Sequence, residues 1–150
     1  MSRHIPNGLR ETMKSVSVDS PNIHTLDAWA FEVRKVEKPW GHELIWAWTD
    51  RYVGKLLVIE AGRRLSFQYH ETKDEWIHLL DGRLKLTLEN EDGTIEDREL
   101  APGESARVAT GRRHRYEAIE TCRIIEVSTP ELADVVRLDD DFGREGTTAP

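Results

Sequence analysis

From Trp40 onward the apolar residues come in short clusters, mostly at a spacing of two, with polar turn residues between them. Leu44-Ile45-Trp46-Ala47-Trp48 is one cluster, and Tyr52–Glu60, rich in Val, Ile and Leu, is a second. Arg64–His70 alternates: Leu65, Phe67 and Tyr69 fall on one face and Ser66, Gln68 and His70 on the other, since successive strand residues point to opposite sides. Glu75–Leu80 reads as a strand, Gly82 as a turn, and Leu84, Leu86 and Leu88 as the next strand. Asn90-Glu91-Asp92-Gly93 is a hairpin signal. Thr94–Leu100, Ser105–Val108, His114–Ile119 and Arg123–Ser128 follow at short intervals. This pattern predicts an all-β sandwich or barrel of the jelly-roll class.

The flanks differ. Residues 1–22 are polar, with Pro and Gly and no sustained period, and read as an arm. Thr25–Val36 fits a helix capped by Thr25 or Asp27, and fits a strand equally well. Pro130–Val136 predicts one short helical turn, and 146–150 a frayed tail. The division is therefore an N-terminal arm over 1–36, a folded domain over 37–144 and a tail over 145–150. Leu65, Phe67 and Tyr69 are apolar on the face opposite Gln68 and His70, and a small barrel fills its interior from one face only. The other face needs a cover, from the arm or a second subunit, and a homodimer is expected.

Composition narrows the function. A chain of 150 residues is one domain by length and buries about two thirds of its unfolded surface. The net charge of −7 argues against a nucleic-acid partner. No apolar run approaches the ~20 residues of a membrane span, so no membrane partner is expected. The first residues lack the apolar stretch of a secretory signal. Cys122 is the single cysteine, so no internal disulfide can form. A soluble, cytoplasmic protein is the expectation.

Two segments carry the chemistry. Gly62–Gly82 holds Gln68, His70 and Glu75, and Gly103–Ala118 holds His114. Residues at i and i+2 of a strand share a face, as Gln68 and His70 do. Glu75 can return to the same pocket after the turn at 71–74, and His114 adds a second imidazole. These four suit one divalent ion, and their mixed nitrogen and oxygen donors leave Zn, Mn, Fe, Co and Ni open. His78 lies three residues beyond Glu75, so parity turns it away; His4, His24 and His42 lie outside both segments.

Arg63, Arg64, Arg112, Arg113 and Arg115 flank the ligand segments, and guanidinium groups pair bidentately with phosphate. Arg64 is favoured by sharing the parity of Gln68. Proton transfer between neighbouring carbons needs a base, for which Lys55, Glu43 and Glu126 are candidates; catalytic roles fall to Glu126 and Lys55 without a choice between them. Glu126 lies in the apolar run Ile124-Ile125-Glu126-Val127, where facing inward would bury it and raise its pKa. Trp40, Trp46 and Trp48 read as wall or subunit-contact residues.

At these residues the chain resembles the cupin superfamily. Its first motif, G-x5-H-x-H-x3-4-E-x6-G, is met by Gly62, Gln68, His70, Glu75 and Gly82, with Gln for the first His. Its second, G-x5-P-x-G-x2-H-x3-N, is met in spacing by Gly103, Ala109, Gly111, His114 and Ala118, without the Pro and Asn. Lys38-Pro39-Trp40-Gly41, Leu65–His70, His114-Arg115, Asp134–Arg137 and Asp141–Arg144 extend the likeness to the cupin domain of type II mannose-6-phosphate isomerases. The resemblance runs from about Glu37 to Arg144 and departs at Trp76-Ile77 and Ser128. That family also begins its ligand set with Gln, and its His-Arg pair matches His114-Arg115. The resemblance implies a cupin barrel with one metal ion, interconverting an aldose and a ketose that carries phosphate, with Arg64 and Arg115 on the phosphate. Two other functions fit the same residues: an Fe(II) dioxygenase on His70, Glu75 and His114, and a non-catalytic sugar-binding module.

Overall fold

The computed structural model describes residues 32–147. Residues 1–31, which hold most of the arm expected over 1–36 and the first part of the Thr25–Val36 segment, and the last three residues lie outside the described residues. The end of that ambiguous segment is strand, since β1 spans Arg34–Lys38.

Eight more strands follow: β2 Gly41–Trp48, β3 Val53–Ile59, β4 Phe67–Tyr69, β5 Glu75–Glu89, β6 Ile95–Leu100, β7 Ser105–Val108, β8 His114–Ser128 and β9 Val136–Asp139. Every pairing is antiparallel. The frame is the ladder of β5 and β8, continuous from Glu75↔Ser128 to Leu88↔His114. At one end it is flanked by β3, β2 and β1 on the β8 side and by β7 on the β5 side. At the other end β4 joins β8 and carries β9 on its far side, and β6 joins β5. Two sheets thus share two long strands, the all-β jelly-roll arrangement that the strand spacing predicts.

Gly82 does not end a strand, as the sequence suggests. It sits inside β5 at φ +90°, where the register slips between Leu79 and Leu84. A Cβ there would lie 2.2 Å from the Thr121 carbonyl oxygen of β8. Glycine allows the bulge at which the ladder continues past the junction of the two sheets. His114–Ile119 and Arg123–Ser128 are one strand for the same reason. Pro130–Val136 forms turns, and no helix occurs among the described residues.

The inner rows explain where the site lies. Ile59 and Leu57 on β3, Cys122 and Ile124 on β8, and Leu79 and Ile77 on β5 are each 1 % exposed or less. Each such aliphatic side chain contributes about 1.5–3 kcal/mol by leaving water. Further along the same inward rows come Lys55, Glu126 and Glu75, which are also buried. The interior therefore changes from apolar to ionic within one barrel.

Candidate metal centre

Gln68 on β4 pairs in register with His114 on β8 and, on its other side, with Arg137 on β9. His70 follows β4 directly, and Glu75 opens β5. The turn between them is held from a distance: the Asp134 carboxylate accepts the backbone N–H groups of Glu71 at 3.0 Å, Thr72 at 2.7 Å and Lys73 at 2.8 Å. Burial alone would raise the Asp134 pKa, but these donors bring it below the usual value. The Asp134 carbonyl oxygen accepts from His70 Nδ1 at 2.5 Å, and that of Arg112 from His114 Nδ1 at 2.8 Å. A carbonyl only accepts, so both imidazoles carry hydrogen on Nδ1 and turn the Nε2 lone pair inward.

Both Nε2 atoms lie 3.4 Å from Glu75 Oε1, and one ligand atom from each of the three residues falls within 4.8 Å of the others. Ligands held at about 2.1 Å on a tetrahedral ion are separated by about 3.4 Å. His70 Nε2 is buried and has no hydrogen-bond partner among the described residues, an arrangement that costs about 1–3 kcal/mol unless a ligand satisfies it. Burial pushes the His114 pKa down to about 4, against the opposing pull of Glu75, so its imidazole stays in the neutral form that a metal requires. These three residues fit a divalent ion. Gln68 Nε2 lies 3.5 Å from His114 Nε2, while Gln68 Oε1 accepts from Ser66 Oγ. A half-turn of the carboxamide presents the oxygen to the tripod and lets the NH2 donate to Ser66.

Behind the tripod runs a buried chain of alternating charge. Lys73 Nζ lies 3.0 Å from Glu75 Oε2 and 3.7 Å from Glu126 Oε1. Lys55 Nζ lies 3.8 Å from Glu126 Oε2 and 3.1 Å from Glu43 Oε2, and Lys38 ends the chain 3.9 Å from Glu43 Oε1. Burial pushes Glu126 up to about 8, reinforced by the charge of Glu75 and opposed by both lysines. Burial would raise Glu75 too, but the charge of Lys73 outweighs it and holds the carboxyl well below its usual range. Tyr116 donates to Glu75 Oε1 at 2.8 Å. This chain borders a cavity of about 250 Å³ whose walls include Trp40, Leu57, Leu65 and Leu132.

The structure brings Gln68, His70, Glu75 and His114 together, with Glu126 and Lys55 facing the same cavity as register partners on β8 and β3. It does not bring Arg64 and Arg115 there. Arg64 forms a two-point pair with Asp141, at 2.7 and 2.8 Å, outside the cavity lining. Arg115 is fixed by the Leu65 carbonyl at 2.9 Å and by Asp139 at 2.9 and 3.0 Å. Strand parity fails for Arg64 because β4 begins only at Phe67, and Arg64 makes an isolated bridge to Glu117. Leu65 moves for the same reason: it lines the cavity on the side of Gln68 and His70. His78 turns outward to Ser105 Oγ at 2.8 Å. Trp40 is core, while Trp46 is on the surface. Sequence reasoning passed over Lys73 and Asp134. The first had a signal, a lysine between two ligand residues; the second acts across more than 60 residues and had none beyond the family likeness.

The residues from Lys55 to Ser128, which span Glu126, Lys55 and all four gathered ligand candidates, match the cupin domain family model. Over these residues the chain is similar to cupin domains. Over 148 residues it is 28% identical to the mannose-1-phosphate guanylyltransferase of Escherichia coli strain K12, covering 95% of this chain and 28% of that protein. It thus spans less than a third of the curated relative's length. Among solved structures, KdgF from Halomonas sp. superposes with a TM-score of 0.57 at 22% identity, over 67% of this chain and 87% of that one. Oxalate decarboxylase from Bacillus subtilis superposes with a TM-score of 0.65 at 13% identity, over 92% of this chain and 40% of that one. At these identities the structural likeness concerns the cupin fold alone.

Proposed function

We propose that this cupin is a metal-dependent isomerase that interconverts an aldose and a ketose bearing a phosphate, as a type II mannose-6-phosphate isomerase does. The observation that carries the reading is the contact between the ligand tripod and a proton-handling pair: Lys73 touches both Glu75 and Glu126 inside one cavity. A divalent ion bound by His70, Glu75 and His114, with Gln68, would polarise the hydroxyl and carbonyl oxygens of a sugar. Glu126 takes a proton from one carbon of the sugar and returns it to the neighbouring carbon. Lys55 and Lys73, one near each of its oxygens, stabilise the carboxylate that takes the proton and that is restored when the proton is returned. Trp40, Leu57, Leu65 and Leu132 keep water from the proton in transit. The Escherichia coli relative is named for a mannose phosphate, which supports a phosphorylated sugar.

The working unit in this reading is a cytoplasmic homodimer. Trp46, whose ring lies against Gly54 of β3, Val127 and Trp76 lie in a row across the outer face of β2, β3, β8 and β5 and are 45%, 46% and 49% exposed. Arg107–Asp74 and Arg123–Asp81 pairs edge the row with both signs of charge, which suits a second copy of the same face.

The two-histidine, one-carboxylate set also suits Fe(II) and oxygen, so the deciding experiment separates the two chemistries. Metal-free protein is loaded with Zn or Mn and given mannose 6-phosphate with and without air. Equal turnover in both supports the isomerase; oxygen uptake by iron-loaded protein, with no isomerisation under any metal, overturns it. Sugar binding without either reaction would point to a binding module.

A further inference from the structure

Glu75 is the carboxylate of the ligand tripod, and its two oxygens face different donors. Oε1 accepts from the Tyr116 hydroxyl at 2.8 Å and lies 3.4 Å from the inward nitrogen of each imidazole. Oε2 lies 3.0 Å from the Lys73 ammonium. Lys73 belongs to the chain of alternating charge, whereas Tyr116 takes no part in the proton transfer described above. Its hydroxyl is nevertheless engaged by the one side chain that carries the tripod's negative charge.

Tyr116 reaches Glu75 across the barrel. On β8 it stands two residues beyond His114, so both side chains turn inward, their rings tilted by 42° at a centroid distance of 5.5 Å. Its register partner is Leu86, near one end of the β5–β8 ladder, whereas Glu75 stands at the other end, opposite Ser128. Tyr116 is also the one hydroxyl-bearing side chain in the buried apolar cluster of the described residues. A phenylalanine would pack there with no polar atom to satisfy, so the hydroxyl is explained by its bond to Glu75 rather than by packing. A carboxylate oxygen has two acceptor sites. Tyr116 occupies one on Oε1 and leaves the other for an ion among Oε1 and the two Nε2 atoms. With Lys73 on Oε2, the carboxylate cannot turn to offer both oxygens without giving up the ion pair, the hydrogen bond or both.

We infer that Tyr116 is a positioning residue of the metal centre: together with Lys73 it holds Glu75 as a one-point ligand through Oε1, so that the place a second carboxylate oxygen would fill stays open to the cavity. Such a donor set suits a small divalent transition ion that takes few, well-directed ligands. It disfavours Ca2+, which gathers about 6–8 oxygens and often takes both from one carboxylate. The inference rests on the metal-binding half of the proposed function and is independent of the sugar chemistry.

The test reads the metal rather than turnover. Metal-free wild type, Tyr116→Phe and a control at the exposed Tyr52, Tyr52→Phe, are titrated with Zn and Co(II) against a competing chelator. Infrared difference spectra of metal binding are recorded for the wild type, with Glu75→Gln used to assign the carboxylate bands. The two Glu75 carboxylate stretches should be widely separated in the wild type, as for one-point coordination. Tyr116→Phe should weaken both ions about tenfold or more and change the visible spectrum of the Co(II) form, with circular dichroism unchanged. Tyr52→Phe should alter neither. An unaltered affinity or an unaltered Co(II) spectrum in Tyr116→Phe would reduce the hydroxyl to a structural bond and overturn the inference. Narrowly separated Glu75 stretches in the wild type would overturn it too, whether or not the variant folds. If the wild type binds neither ion, the inference and the isomerase reading fail together; if it binds them as expected and isomerises no sugar, only the isomerase reading fails.

Discussion

Lys73 Nζ lies 3.0 Å from Glu75 Oε2, while the other oxygen of that carboxylate lies 3.4 Å from each of the two inward imidazole nitrogens. One carboxylate is thus divided between a fixed internal cation and the place of an added one. Lys73 compensates part of its charge in the metal-free protein and directs Oε1 toward the tripod.

Replacing Lys73 with Met leaves Glu75 and Glu126 buried without their shared cation. A buried pair broken on one side costs about 3–5 kcal/mol. The loss, measured by denaturant unfolding, should be larger without metal than with Zn or Mn present, because the ion takes over part of the compensation. An equal loss in both forms would separate Lys73 from the metal site.

His114→Ala removes one imidazole from the tripod. Metal content after dialysis should fall, and the thermal stabilisation by added metal should fall with it. For the wild type that stabilisation is about 2.7 kcal/mol at a hundredfold excess over Kd. Unchanged metal content in the variant would remove His114 from the ligand set.

Gly82→Ala tests the continuous ladder. The new Cβ would meet the Thr121 carbonyl oxygen at 2.2 Å, on a backbone at φ +90°. The conformation alone costs about 1–3 kcal/mol for a residue with a side chain. A large drop in thermal midpoint is expected, and a neutral change would show that β5 and β8 separate at this point.

The pH dependence of the β9 segment follows from Asp140. Burial raises its pKa, but its pair with Arg144 outweighs this and leaves it below the ordinary Asp value. The native state then binds this proton less readily than the unfolded chain. The pair's contribution is present above pH ~4 and is lost as pH falls through the lowered pKa. Acid titration of stability in the wild type and in Asp140→Asn should show the difference between them shrinking below pH ~4. A constant difference would contradict the assignment.

For the dimer, Trp76→Ser places a small polar residue in the middle of the exposed row on the outer face. Sedimentation should show a weaker dimer at micromolar concentration, with the metal content kept. A monomer in the wild type would count against the assembly.

Strand composition and the two ligand segments could be read from the sequence because both rest on local rules. Alternation at period two assigns inward faces on β5, where Glu75, Ile77 and Leu79 are buried and Trp76 and Leu80 are exposed. The same rule places Gln68 and His70 together, and family spacing adds Glu75 and His114. The rule stops where a strand stops: β4 is three residues long, so parity carried back gives Leu65 the wrong face and Arg64 a cavity position that it does not take. Whether Gly82 turns the chain or bulges within a ladder depends on a partner strand some 40 residues away. Charge pairing was likewise decided only by the fold. Arg64 and Asp141 are 77 residues apart, and Asp134 reaches the Glu71–Lys73 turn from more than 60. A sequence shows which side chains carry charge, but ion pairs are settled by distance and burial, so Arg64 and Arg115 beside the ligands are committed to Asp141 and Asp139, while Arg137 of β9 lines the cavity.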